Sequence, residues 1–285
     1  MGIEKERSVG LGRPDMSEFS IGGAVTYAVK AARRRPEAAT KLVLFAVLAV
    51  LVARLAESAV ALGVPQVFQL LFVVPVLLVS LIGVPIGWLR IMLSEPTRPV
   101  RLWPSWSEAW LVFAGGFLVH AMGVLVVVPF FLAGIAISLL ANAMGAGGAV
   151  LGIAVASLSY IAYPVVVSRL LPSIGLGLLR GRLLAVVSWG ATRHIRLKLL
   201  ATWGIWLGLY LCASGVATAG WGLFPVPTLP VWMREFGFLI FGAILSILLA
   251  IAAGIIAYTV LYLVQRNPDI GRLAPDGGES EADRG

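Results

Sequence analysis

Six long stretches of the chain are almost wholly apolar, and the charged residues gather between them. The stretches run Leu42–Leu62, Leu70–Leu89, Trp110–Leu140, Ala149–Leu171, Leu199–Gly222 and Gly237–Val264. A hydrocarbon layer of ~30 Å is crossed by about 20 apolar residues at a rise of ~1.5 Å each, so every stretch predicts a spanning α-helix. The third and sixth exceed that length and are expected to tilt or to reach into the interface. Before the first span the pattern changes: Ile21, Val25, Ala28, Val29 and Ala32 recur at helical spacing among polar residues. Ser17 can cap such a helix, and it stops at Arg33-Arg34-Arg35 before Pro36. The predicted fold class is therefore all-α: an integral membrane bundle of six transmembrane helices with an N-terminal amphipathic interfacial helix, over residues 17–266. The polar tails, 1–16 and 267–285, are expected to be disordered.

Composition agrees with a chain built for lipid. Of its 285 residues, 59% are hydrophobic and only 13% are charged, too few polar groups to cover a water-soluble fold of this size. The net charge of +8 comes from 22 basic against 14 acidic residues. In a chain with many spans, basic residues collect in cytoplasmic loops for reasons of insertion, so the excess does not call for nucleic acid. Placing the N-terminus inside puts twenty of the 22 basic residues on one side. Arg54 then lies within a span, and Arg234 alone faces outward. Six spans with both ends cytoplasmic, in the cell membrane, is the predicted topology. Most tryptophans (Trp88, Trp103, Trp106, Trp110, Trp189, Trp203 and Trp206) fall near the inner interface on this map, where indole rings serve as anchors.

Small residues at intervals of four mark faces for close helix contact, because apolar area supplies no drive between helices in lipid. Gly242, Ser246, Ala250 and Gly254 form one such stripe; Gly204, Gly208 and Cys212 form a second; Gly148, Gly152 and Ala156 form a third. The run Pro85–Arg90 and the run Pro172–Arg180 resemble each other faintly, either as an internal repeat or as two ordinary helix ends.

Groups able to do chemistry are scarce. Every aspartate (Asp15, Asp269, Asp276 and Asp283) lies in a tail, and there are two histidines and one cysteine. Paired carboxylates or a metal cage for hydrolysis within the membrane region are not in evidence, and there is no nucleotide-binding or nucleophile motif. No enzyme activity, cofactor or metal is expected. Three ionisable residues stand at membrane depth. Arg54 and Glu57 share a helix face at i and i+3. Arg54 lies about 20 Å along from Lys41, and His120 about 15 Å along from Trp110. Arg54, Glu57 and His120 are thus a candidate intramembrane polar site; alternatively the first two snorkel at a helix end while His120 bonds a backbone carbonyl.

The residues Gly87-Trp88-Leu89-Arg90, then Trp103-Pro104-Ser105-Trp106-Ser107-Glu108, then Phe113 and Gly115-Gly116 carry a family resemblance. Together they resemble an uncharacterised prokaryotic family of polytopic membrane proteins, domain of unknown function four thousand and thirteen. Its signature is a Gly-aromatic-x-Arg helix end followed by a Leu-Pro-x-Trp loop and an acidic residue. Ala24–Val29 and the arginine-bearing stretch after span four are similar too. Trp103 stands where that family has Leu, Trp88 where it has Tyr, and Glu108 where it has Asp. The resemblance implies a similar membrane fold over roughly residues 20–265 and supplies no mechanism.

Two functions remain open on these grounds. The first is a non-enzymatic scaffold or accessory component whose basic cytoplasmic face (Arg33, Arg34, Arg35, Arg98, Arg101 and Arg182) meets the anionic inner leaflet, with other membrane subunits or a second copy as possible partners. The second is a transporter or permease subunit with its polar site around Arg54, Glu57 and His120.

Overall fold

The computed structural model describes residues 18–61, 66–94, 100–143, 148–223, 231–267 and 270. The described residues are helical and contain no strand. Among the described residues ten α-helices follow one another: α1 (Ile21–Arg34), α2 (Pro36–Ala61), α3 (Gln66–Leu93), α4 (Trp106–Ala143), α5 (Gly148–Ser157), α6 (Ser159–Leu170), α7 (Pro172–Arg180), α8 (Ala185–Ala191), α9 (Arg196–Leu223) and α10 (Val231–Arg266). A 3₁₀ turn, Thr192–Ile195, joins α8 to α9. Among the described residues five stretches are long and apolar enough to cross a membrane: Pro36–Ala53, Trp106–Ala143, Val150–Arg180, Ala185–Gly215 and Phe236–Arg266. The second expected span lies within α3, where the apolar run among described residues is Ile82–Leu93. Of the expected tails only Asn267 and Ile270 are described, the Ile270 N–H bonding the Asn267 carbonyl at 2.9 Å, and Ser17 lies outside the described residues.

Capping chemistry sets the first boundaries. Ser20, three residues later than expected, is extended at φ −118° and ψ 133°, and its Oγ accepts from the Gly23 N–H at 3.3 Å. This satisfies one of the four donors that a helix start leaves unpaired. Arg35 leaves helical geometry at φ −137° and ψ 62°, because the following proline ring disfavours helix in the residue before it. Pro36 then opens α2, where its missing N–H costs nothing, and Glu37 lies in the positive first turn.

The fourth apolar stretch is not one helix. It breaks at Leu158, whose N–H bonds back only three residues, to Val155 O at 3.1 Å. Pro164, inside α6, crowds the carbonyl four residues before it. It breaks again at Pro172, which opens α7, and α7 ends on Gly181 at φ 69°. That left-handed geometry favours glycine, and the Gly181 N–H closes the helix on Gly177 O at 2.7 Å. By contrast Pro85 lies within an uninterrupted α3. The two runs that resemble each other in sequence therefore form different local structures.

The described residues group into two compact units. The first comprises the residues up to Ser105 together with Trp206–Gln265. Its contacts form where a side chain is missing. A Cβ at Gly242 would stand 3.2 Å from Val47 Cα on α2, and one at Gly87 would stand 2.6 Å from Leu42. One at Gly254 would collide with Ala28 of α1. Gly242, Ser246, Ala250 and Gly254 are all buried, so the first predicted stripe is a packing face. The buried positions of α1 are Ala24, Ala28 and Ala31, while Val29 is exposed. Small size, rather than hydrophobicity, selects the face that docks. The Tyr27 hydroxyl donates to the Met92 carbonyl of α3, and Phe19 meets Tyr258 and Tyr262 edge-on at 5.4 and 5.7 Å. Trp88, expected at the interface, is buried, and its Nε1 donates to Ser246 Oγ at 3.4 Å. Arg90 donates to the Trp103 carbonyl at 2.8 Å and to the Arg101 carbonyl, tying the polar loop back onto the end of α3.

The second unit comprises Trp106–Ile205 with the described residues from Arg266 onward. Here α4 packs on α5, α6 and α7. A Cβ at Gly134 would stand 2.7 Å from Gly152 O, and one at Gly152 would collide with Ser138 Oγ. Gly115 fits against Ile174 and Leu183, and Gly177 against Leu111. Val119, Val166 and Leu170 form a buried apolar cluster that Ala185 of α8 also touches. The remaining predicted stripe, which runs from this unit into the first, gains no neighbour among the described residues: Gly204, Gly208 and Cys212 are exposed, and nothing lies within 4 Å of a Cβ at either glycine. A four-residue interval marks where close approach is possible, and contact also requires a neighbour on that face.

Candidate functional site

The second unit contains a polar network that the sequence pattern did not isolate. Arg169 ends α6 with only 9% of its surface exposed. Its guanidinium lies over the Trp189 ring at 3.6 Å, donates to the Trp189 carbonyl, and reaches Thr192 Oγ1 at 3.4 Å through Nε. Ser188 Oγ returns a bond to the Arg169 carbonyl at 2.7 Å. Thr192 Oγ1 donates to the Ser188 carbonyl at 2.8 Å. Ser188 and Thr192 are fully buried.

The local sequence explains this arrangement. Pro172 has no N–H, so the helix cannot run on unchanged, and Ser188 Oγ supplies a bond to a carbonyl beside the break. Ser188 of α8 and Thr192, the first residue of the 3₁₀ turn after it, are four residues apart and fall on one side of the chain. The last carbonyls of a helix carry partial negative charge, and the Arg169 cation sits against them. Stacking on an indole adds a cation–π contribution. One arginine thus clamps the segment Gly181–Lys198, here called the hook, against α6. Leu184, Ile195 and Leu199 bury the apolar side of the same segment.

The other side of the hook is basic and apolar together. Arg182, Arg193, His194, Arg196 and Lys198 are exposed, and the charges of Arg193 and Arg196 bear on Arg169. Beside them Val186 is 86% exposed and Leu197 72% exposed. No acidic residue occurs between Glu108 and Glu235.

The residues expected from sequence fall in several places. Arg33 and Arg34 are exposed in the last turn of α1, where cations suit the helix dipole. Arg35 is partly buried, and that burial holds its guanidinium below its ordinary pKa. Arg101 is exposed, Arg182 follows the turn at Gly181, and Arg98 lies outside the described residues.

The candidate polar trio is not assembled by the described residues. Arg54 and Glu57 belong to α2, and their side chains lie outside the described residues. His120, on α4, bonds a side chain rather than a backbone carbonyl: its Nδ1 lies 2.8 Å from the Tyr163 hydroxyl of α6. The two rings stack with centroids 6.3 Å apart and planes 6° from parallel. Gly123 leaves room for this, since a Cβ there would stand 2.7 Å from the Tyr163 ring. The pair satisfies two polar groups between apolar helices.

The signal for Arg169 was present but weak: one arginine at the end of an apolar run, with no acid to pair it and Ser188 and Thr192 at i and i+4 further on. Among the described residues no group of three His, Cys, Asp or Glu side chains is placed to hold a metal ion. No family model, curated protein or solved structure matches the chain.

Proposed function

We propose that the protein is a six-span, non-enzymatic scaffold or accessory component of the cell membrane, with both termini cytoplasmic and a basic cytoplasmic face that engages anionic lipid. In this reading α3 supplies the sixth span, and α1 is an amphipathic helix at the inner interface, with Val25 and Val29 toward lipid and Ala24, Ala28 and Ala31 toward the protein. The resemblance to the family with the Gly-aromatic-x-Arg signature is compatible with this reading and adds no chemistry to it.

The observation that carries the proposal is the hook. Cations and large apolar side chains are both exposed on a segment that also buries Leu184, Ser188, Thr192 and Ile195, which is the composition of an interfacial element. In water alone Val186 and Leu197 would be unfavourably solvated, and in hydrocarbon alone the arginines would be. At the headgroup level both are satisfied.

The test uses the full-length protein purified in mixed detergent–lipid micelles containing equal phosphatidylglycerol and phosphatidylcholine. The anionic lipid is expected to co-purify in excess, and the excess is expected to shrink as salt is raised. Equal retention of the two lipids would overturn the proposal.

A further inference from the structure

We infer that the hook is a docking surface for the phosphate headgroup of an anionic lipid of the surrounding membrane, with Val186 and Leu197 against its acyl chains. The inference rests on the membrane reading above and narrows it from a whole face to one structured segment. Two observations select this segment over the other basic stretches. Arg169 spends its charge internally, on the Trp189 ring and the end of α8, so it holds the hook in one shape before any ligand arrives. Arg193 and Arg196, i and i+3 across the start of α9, are both exposed on that clamped backbone, with Lys198 and Arg182 nearby in the chain. A preformed cluster loses less freedom on binding than the same charges on a loose tail.

The apolar neighbours select the occupant. A free phosphate would neutralise the arginines but leave Val186 and Leu197, the first 86% and the second 72% exposed, without cover. A phospholipid brings an anion and two hydrocarbon chains in one molecule. Arg193 and Arg196 lie in a stretch, Ala109 to Arg234, that holds no acid, and an anionic leaflet offers phosphates to such cations at high local concentration.

The experiment is native mass spectrometry of the full-length protein titrated with phosphatidylglycerol, or with phosphatidylcholine of the same chain lengths. The wild type is expected to hold phosphatidylglycerol preferentially, and millimolar inorganic phosphate is expected not to displace it. The triple variant Arg193→Gln, Arg196→Gln, Lys198→Gln is expected to bind it roughly tenfold to a hundredfold more weakly. Val186→Ser with Leu197→Ser is expected to weaken binding without changing net charge. Arg33→Gln, Arg34→Gln, Arg35→Gln is expected to change it by less than about threefold. Should the triple variant unfold, Arg193→Lys with Arg196→Lys keeps the charge and is expected to keep the lipid preference. If the α1 variant loses the preference and the hook variants keep it, this inference fails while the broader reading stands. A wild type that does not distinguish the two lipids would defeat both.

Discussion

Arg169 illustrates how one side chain governs a segment in this protein. An arginine on a membrane-facing helix ordinarily marks either an ion pair or an interface anchor. Here its partners are a carbonyl, a hydroxyl and an indole face, and they all belong to α8 and the turn after it. Replacing it with leucine should cost on the order of 2–4 kcal/mol, because the α8 carbonyls lose a charged donor in a buried place. Arg169→Lys should recover only part of this, since an ammonium cannot both stack and fork. Hydrogen exchange over residues 185–195 checks both: faster exchange in the leucine variant, confined to that segment, is the expected result. At the other unit, burial pushes the Tyr27 hydroxyl up from 10.0 to about 12, with the Arg34 charge opposing. The folded state thus favours the neutral phenol. Its contribution to stability is complete below pH 10, declines between 10 and 12 as the unfolded chain ionises first, and is lost above that range. Tyr27→Phe should flatten this alkaline decline in thermal unfolding, and a decline of the same steepness in the variant would assign it to other groups.

Between helices, the controlling quantity is the room left by a missing side chain. Gly254 faces Ala28 and Gly152 faces Gly134 across contacts with backbone on at least one side, so neither partner is able to rotate away. Gly254→Val should therefore separate α1 from α10, and Gly152→Ala should separate α4 from α5, each at about 1–3 kcal/mol. Gly208→Ala has open space around it and should be neutral or stabilising by up to about 1 kcal/mol, since alanine is the better helix former. Thermal melts followed by circular dichroism rank the three, and a destabilised Gly208→Ala would mean that its face is covered in the assembled protein. His120→Phe removes the bond to Tyr163 and should cost about 0.5–1.5 kcal/mol, in the range of hydrogen bonds between membrane helices.

For the whole molecule, the orientation we propose rests on the arginines and lysines. Reporter fusions after Gly147 and Pro227 should be external, and fusions at both termini cytoplasmic. A cytoplasmic signal at either internal position would invert the placement of the hook. Much of this level was legible in the sequence. Most of the long apolar runs became long helices, the fourth being broken into α5, α6 and α7, because inside hydrocarbon a backbone has to satisfy its own hydrogen bonds, and composition over about 20 residues decides that locally. The proline-induced ends were legible for the same reason, as with Arg35 before Pro36. The fate of Pro85 and Pro172 was not: one lies within a continuous helix and the other starts a new one. The small-residue stripes were legible as candidates, and neighbours then separated Gly242–Gly254, which packs, from Gly204–Cys212, which does not.

What the chain determined by itself was its helical class, the rough extent of its apolar segments and the lopsided distribution of its basic residues. Each of these is a property of local composition, summed over one turn or one bilayer thickness. Tertiary structure alone decided which face of α1 is buried, that Trp88 is a packing residue and not an anchor, that His120 is partnered by Tyr163, and that Arg169 clamps the hook. These depend on how one helix is rotated against another far away in sequence, and on where a break redirects the chain. A rotation of one residue, about 100° around a helix, changes every such partner while leaving composition and period untouched.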